Sequence, residues 1–295
     1  MTTFFLNRLA TEPHALAFAG QSTPWPVALA DQTTDPSLDE ALRGHVAAAG
    51  RLLTPVAADL LATTGRPVDL FGFAPNPARL GAAADATASV EGVALTQLGA
   101  LLDLEHLGYS VAQAKPLAVL GHSQGVLAVH MTRAIEAAGS IEAAGKTLNE
   151  ILAVAALIGA AGTRRVRELG LNPKYGEASP MLSVKGATRE QVEALVARVN
   201  NARGPISIAV TNSDNHHVLS GYPEDLAAFA LEAEREHQHQ AKLREQKLHG
   251  GTVFNPTLEY LEVTLPFHSP LMADAVEQTV AWAGACGFDQ KRTRA

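Results

Sequence analysis

The feature that most restricts this chain is a short apolar run, Leu117-Ala118-Val119-Leu120, that ends on Gly121-His122-Ser123-Gln124-Gly125. Lys115-Pro116 introduces the run, which is too short for a helix and reads as a central strand buried on both faces. Beyond Gly125, the apolar residues Val126, Leu127, Val129, Ala134 and Ile135 are interspersed with good helix formers, so a helix follows. Strand, glycine-rich turn and helix form an α/β unit. The turn fits the pattern Gly-x-Ser-x-Gly. A serine at such a corner has strained backbone geometry, and bulky residues two positions away would clash. The corner also aims the backbone N–H of Gln124, at the helix start, at the oxygen of a bound acyl group. There it can stabilise the negative charge of a tetrahedral intermediate. The plainer alternative is a glycine-rich turn with an inert serine.

Around this unit, residues 16–18 read as a short strand running into the corner Gly20-Gln21-Ser22. Residues 38–62 have helical spacing, broken near Thr54-Pro55, and residues 89–107 form a second helical stretch. After Gly176 the character changes. Strands are expected at 181–184, 205–210, 217–219 and 261–265, with helices at 188–199 and from 224 to about 248. The order βαββαβ matches a ferredoxin-like unit. The fold class is therefore α/β: a parallel-sheet core of α/β-hydrolase type, residues 1–176 and 265–295, with an inserted ferredoxin-like subdomain, residues 177–264. Segment 232–249 carries charges of both signs at helical spacing, as a solvated face does. Its His237 and His239 stand two apart and point in different directions on a helix, so no metal site is expected there.

With 47% hydrophobic and 18% charged residues, the 295-residue chain can bury a sizeable core. A net charge of −7 argues against nucleic acid as a partner, because phosphate binding relies on clustered Lys and Arg. The opening residues have no basic start followed by an apolar run, so no secretory signal is expected. The most hydrophobic window, 151–161, is too short to span a bilayer, and no membrane association is expected. Cys286 is the single cysteine; it excludes an intrachain disulfide and is expected to be a small buried residue. A cytoplasmic location follows as the default.

A serine needs a base to act as a nucleophile. Of eleven histidines, His268, in Leu265-Pro266-Phe267-His268-Ser269-Pro270, is the best candidate: it ends an expected strand and precedes an expected helix at 272–285. His216 and His217 compete, but they read as parts of a turn and strand. His130 reads as a residue on the face of the helix behind Ser123.

Phe18-Ala19-Gly20-Gln21, Gly121-His122-Ser123-Gln124-Gly125, Asn212 with Val218-Leu219-Ser220-Gly221, and Pro266-Phe267-His268-Ser269 occur here in one order. In that order and spacing the chain resembles the malonyl/acetyl transferases that charge acyl carrier proteins, from about residue 15 to 282. Gln124, together with Leu157-Ile158-Gly159-Ala160-Ala161-Gly162, looks most like the acetyl-transferase domain at the start of actinobacterial type I fatty acid synthases. The resemblance implies a ping-pong reaction in which acyl-CoA acylates the serine and the phosphopantetheine thiol of the carrier protein takes the acyl group. It implies Ser123 as nucleophile, His268 as general base, the backbone N–H groups of Gln21 and Gln124 as oxyanion hole, and Asn212 as a pocket-lining residue. No tightly bound cofactor is implied, and the partners are an acyl carrier protein, the other domains of the synthase, and further copies of the full chain. The large domain of that family continues past the histidine. By that resemblance, this chain is expected to be a fragment, weakly active alone and prone to associate.

Malonyl-selective members carry an arginine on the helix after the nucleophile, paired with the malonyl carboxylate. Ile158 aligns with that arginine, so acetyl is the expected acyl group; an apolar side chain leaves a buried carboxylate unpaired at a cost of several kcal/mol. Arg164 and Arg165, further along, are expected to face solvent. The alternatives are a malonyl- or palmitoyl-type transferase of the same family, an α/β serine hydrolase using Asp214 or Glu262 as its acid, and a scaffold without catalysis.

Overall fold

The computed structural model describes residues 8–9, 12–21, 24–65, 86–171, 179–200, 205–248 and 253–288; Ser22, Gly176 and the polar residues after 288 lie outside them. The chain divides into two compact units, residues 1–164 with 275–295, and residues 165–274.

In the first unit, strand β1 (Ala15–Phe18) leads to helices α1 (Trp25–Gln32), α2 (Pro36–Leu52), α3 (Ala57–Thr64), α4 (Ala86–His106) and α5 (Val111–Ala114). Strand β2 (Ala118–Gly121), α6 (Val126–Ala138) and α7 (Ile141–Glu168) follow, and α10 (Ala273–Ala285) belongs mostly to this unit. The break expected at Thr54-Pro55 is a turn of 3₁₀-helix, Thr54–Val56. Asp35 caps α2 by accepting from the backbone N–H groups of Ser37 and Leu38. Helix α4 is the centre of the unit. Residues are buried all round it, including Val90, Val93, Leu95, Leu98 and Leu101, the pattern of a helix with no solvent face. Gly92 and Gly99 let α1 lie directly on it: a Cβ at Gly92 would sit 2.3 Å from the Trp25 ring, and one at Gly99 would sit 2.4 Å from Gln32 Oε1.

Strands β1 and β2 pair in parallel, Ala15 with Ala118 through Phe18 with Gly121. Among the described residues β2 has no second neighbour, so Leu117 and Leu120 are 78% and 58% exposed. The expectation of a strand buried on both faces is corrected here: the run is apolar, but its burial depends on neighbours that apolarity does not supply. Helix α7 is long and apolar enough by length and composition to cross a bilayer, which the 151–161 window had not suggested, and half of its most apolar stretch is buried inside the protein. A core helix meets the same test. Cys286 is half-buried, and burial pushes its thiol up.

The second unit is built on a four-stranded antiparallel sheet: β3 (Met181–Lys185), β4 (Ser207–Ser213), β5 (His216–Ser220) and β6 (Thr257–Tyr260), in the order β4-β5-β3-β6. Helix α8 (Arg189–Val199) links β3 to β4, and α9 (Pro223–Glu245) links β5 to β6. Each helix crosses over one intervening strand, which is the ferredoxin-like split βαβ arrangement read from the sequence. Thr188 and Gln191 start α8 with a capping box, and Asp214-Asn215 turn the β4–β5 hairpin. Leu182, Val184, Val192, Leu195, Leu219, Leu226 and Phe229 fill the space between sheet and helices. The last strand lies earlier than expected, at 257–260 in place of 261–265. The Leu261 N–H still bonds the Met181 carbonyl at 3.0 Å, but the Val263 N–H turns back onto the Leu261 carbonyl at 2.8 Å and the chain leaves the edge. Val263 and Leu265 stay buried in irregular backbone, which is why the apolar run resembled a strand.

Candidate active site

Ser123 stands in a 3₁₀ turn, Ser123–Gly125, between β2 and α6, with φ of 52°. A left-handed conformation at a non-glycine residue costs about 1–3 kcal/mol and persists where the surroundings over-determine it. The surroundings here are the two glycines. A Cβ on Gly121 would stand 2.5 Å from the Gly125 carbonyl carbon, and one on Gly125 would stand 2.3 Å from the Phe18 oxygen. The Phe18 oxygen accepts the His122 N–H at 2.9 Å, so the end of β1 and the serine turn are locked edge to edge.

Gly20 brings the segment after β1 against the same turn. Its missing Cβ would lie 2.6 Å from the His122 oxygen, 3.0 Å from Ser123 Cβ and 3.1 Å from the Gln124 nitrogen. Gln21 follows, and its side-chain amide donates to the side-chain oxygen of Gln124. Gln124 in turn donates through Nε2 to the Val90 carbonyl on α4 at 2.5 Å. A third glutamine, Gln97, nearly buried on α4, donates to the Ala19 carbonyl at 2.6 Å and fixes the chain that carries Gly20 and Gln21. Sequence reasoning missed Gln97; the signal available was one amide among the apolar positions Leu95, Leu98 and Leu102.

Ile158 is half-buried on α7 in this unit. Next to it, Gly159 approaches α4 so closely that a Cβ would be 2.8 Å from Thr87 Cα. Thr87 lies one helical turn from Val90, so α4 supports both the Gln124 amide and the segment carrying Ile158. Arg164 is exposed and donates to Gln278 at 2.5 Å.

His130 is half-buried on α6 in the first unit, and Asn212, His216, His217 and His268 are in the second. His268 is exposed at a turn with φ of 55°, one of four non-glycine residues with positive φ among those described, as is Ser123. Phe267 before it packs with Met181, Val218 and Val263 in a cluster separate from the one between sheet and helices. The Ser269 hydroxyl after it donates to the Pro266 carbonyl at 2.7 Å. His216 shares the Val218 face by strand alternation; it lies 3.1 Å from the Ser183 hydroxyl and 3.5 Å from the exposed Asn212 amide. Burial, reinforced by Lys185 and then His217, holds its imidazole below the ordinary value. His217 faces the opposite side, fully buried, with Nδ1 3.3 Å from the Thr211 hydroxyl. His237 donates to the Phe254 carbonyl at 2.7 Å, and no cluster among the described residues could hold a metal ion. Arg165 departs from its expected solvent-facing place: its side chain is 20% exposed and paired with Asp274 at 2.7 Å.

Residues 180–260 match the family model described as the fatty acid synthase central AT domain. Over 92% of its length the chain superposes on MCAT from Mycobacterium tuberculosis, with a TM-score of 0.56, 20% identity and 70% of that chain covered. It superposes equally on an acyl carrier protein S-malonyltransferase from Vibrio cholerae, with a TM-score of 0.58, 15% identity and 71% of that chain covered. The fold is that of the acyltransferases. By sequence the chain is similar to fatty acid synthase 2 of Mycosarcoma maydis, 32% identical over 170 residues, which is 53% of this chain and 4% of that protein. Fatty acid synthase beta subunit TOXC of Cochliobolus carbonum is 29% identical over 163 residues, 50% of this chain and 8% of that protein. The matched part of the chain thus spans under a tenth of those relatives.

Proposed function

We propose that this acyltransferase primes fatty acid synthesis by moving acetyl from acetyl-CoA, through an ester on Ser123, to the phosphopantetheine thiol of an acyl carrier protein. The observation that carries the reading is Ser123 itself, a left-handed residue wedged between Gly121 and Gly125 with Gly20 against its Cβ. Ser123 Oγ attacks the thioester carbonyl while His268 accepts its proton; the tetrahedral oxyanion is held by the backbone N–H groups of Gln21 and Gln124. Collapse expels coenzyme A as the thiol, reprotonated by His268. The carrier thiol then attacks the Ser123 ester in the same way and releases the serine. Every bond made is matched by one broken, and no tightly bound cofactor takes part.

Supporting acetyl over malonyl is Ile158, an apolar side chain at the position that the resemblance aligns with the carboxylate-binding arginine. The malonyl reading has support of its own, in the malonyltransferase activity named for a structural neighbour, the Vibrio cholerae protein. By the resemblance in its motifs, the chain acts as the acetyl-transferase domain of a type I synthase, in the cytoplasm, alongside its other domains and further copies of the full chain. Within it residues 177–264 form the inserted subdomain and Asn212 lines the acyl pocket.

Intact-mass measurement after mixing with acetyl-CoA, malonyl-CoA and longer acyl-CoAs tests this directly. The reading expects an acetyl adduct that maps to Ser123 and is absent from Ser123→Ala; an adduct on another residue, or one that survives in the alanine variant, overturns it.

A further inference from the structure

The turn that carries His268 is held from outside by a residue that neither the motif pattern nor its spacing singles out. Arg165 lies near the end of α7, within the second unit. Its Nε donates to the Leu271 carbonyl at 2.8 Å, and its NH1 reaches Asp274 at 2.7 Å and Glu168 at 3.4 Å. Leu271 belongs to the 3₁₀ turn Pro270–Met272, which begins two residues after His268, and Asp274 stands on the first turn of α10. The guanidinium fork therefore spans the two ends of one bend. An arginine suits this because its donors are fixed in one plane, so bonding at one nitrogen constrains the other.

His268 needs such support. Its φ of 55° is a conformation that non-glycine residues avoid, and a histidine there relaxes unless both flanks are fixed. The flank before it is fixed by Phe267 packing on the sheet and by the Ser269 hydroxyl bond to Pro266. The flank after it is fixed by the Met272 N–H bond to the Ser269 carbonyl at 3.0 Å and by the Arg165 fork. An exposed ion pair alone contributes little. Here the bond to a main-chain carbonyl, from a side chain only 20% exposed, adds direction to the charge pairing.

We infer that Arg165 is a positioning residue for His268: by clamping Leu271 and Asp274 it sets the turn that carries the imidazole. The inference rests on the reading of His268 as general base.

The test compares Arg165→Ala, Arg165→Lys, Asp274→Asn and His268→Ala in the full-length protein, with Arg189→Ala as a control for loss of an ion-paired arginine elsewhere in the unit. Stopped-time mass spectrometry with acetyl-CoA gives the rate and half-saturation of Ser123 acylation, and NMR of the imidazole ring gives the order of His268. Arg165→Ala is expected to slow acylation about tenfold, equivalent to about 1.4 kcal/mol of barrier, with half-saturation changed less than twofold. Arg165→Lys and Asp274→Asn, which each keep part of the clamp, fall between, and Arg189→Ala matches the parent. The His268 ring signal broadens in Arg165→Ala and not in Arg189→Ala. If Arg165→Ala melts too low to assay, Asp274→Asn decides by the same two readouts. An unchanged rate and ring signal in Arg165→Ala, with acylation lost in His268→Ala, overturns the positioning role and leaves the base in place. Normal acylation in His268→Ala instead removes the base reading, and the ring signal alone then decides whether Arg165 orders the turn.

Discussion

Replacing Gly125 with alanine separates space from flexibility as the reason for the glycine. Gly125 has φ of −56° and ψ of −16°, an ordinary right-handed helical conformation that alanine adopts freely. The obstacle is contact: the new Cβ would sit 2.3 Å from the Phe18 oxygen, 2.9 Å from its carbonyl carbon and 3.0 Å from the Ala19 oxygen. All three are backbone atoms and cannot rotate away, so the end of β1 must retreat by about 1 Å to reach normal separation. Overpacking of this kind costs about 1–3 kcal/mol. The retreat also breaks the 2.9 Å bond from the His122 N–H to the Phe18 oxygen. That loss adds about 0.5–1.5 kcal/mol. The total of about 2–4 kcal/mol corresponds to a fall in Tm of roughly 5–15 °C for a chain of this size. Displacing the serine turn by that distance slows acylation about 100-fold. Calorimetry and mass-detected acylation are the assays, with Gly145→Ala as the control, since nothing lies within 4 Å of a Cβ there. That helical substitution stabilises by about 0.5–1 kcal/mol. A Gly125→Ala protein that melts with the parent and acylates at its rate would refute the reasoning.

Other outcomes follow from the same geometry. His268→Ala slows Ser123 acylation by about two to four orders of magnitude and removes the imidazole limb of its pH profile; near-normal kinetics would point to His216 or His217. Ile158→Arg raises malonyl transfer and lowers acetyl transfer in a competition between the two acyl-CoAs, because it supplies a cation for the malonyl carboxylate; an unchanged preference means that Ile158 does not meet the acyl group. His216 is held below its ordinary value of 6.5, so the unfolded chain takes up its proton first as pH falls. Its contribution to stability is complete above that value and lost as pH falls through the folded-state value. Urea midpoints for the parent therefore drop more steeply with acidification than those for His216→Gln, and parallel slopes would contradict the burial argument.

The elbow was legible because its requirements are local. Gly121 meets the Gly125 backbone within one turn, and the 3.6- and 2-residue periods placed α2, α4, α6 and the first three ferredoxin-like strands close to where they lie. The strand expected at 261–265 misled because apolar residues are buried there without pairing, and burial, not pairing, is what composition reports. The same confusion made β2 appear enclosed on both faces, although Leu117 and Leu120 reach solvent.

What the sequence determined by itself is the pattern of the serine corner and the order of elements around it, since the motif and the periods are each written within a few residues. Only the tertiary structure decided which distant groups serve that corner. Gln97 on α4 holds Ala19, Val90 holds Gln124, and Gly20 comes within contact of Ser123. Only the tertiary structure, too, turned Arg165 from an apparent surface residue into the clamp on the His268 turn. The physical reason is common to all four: a hydrogen bond or close contact between residues tens of positions apart leaves no period in the sequence. It exists only once helix and strand packing has brought its two ends together.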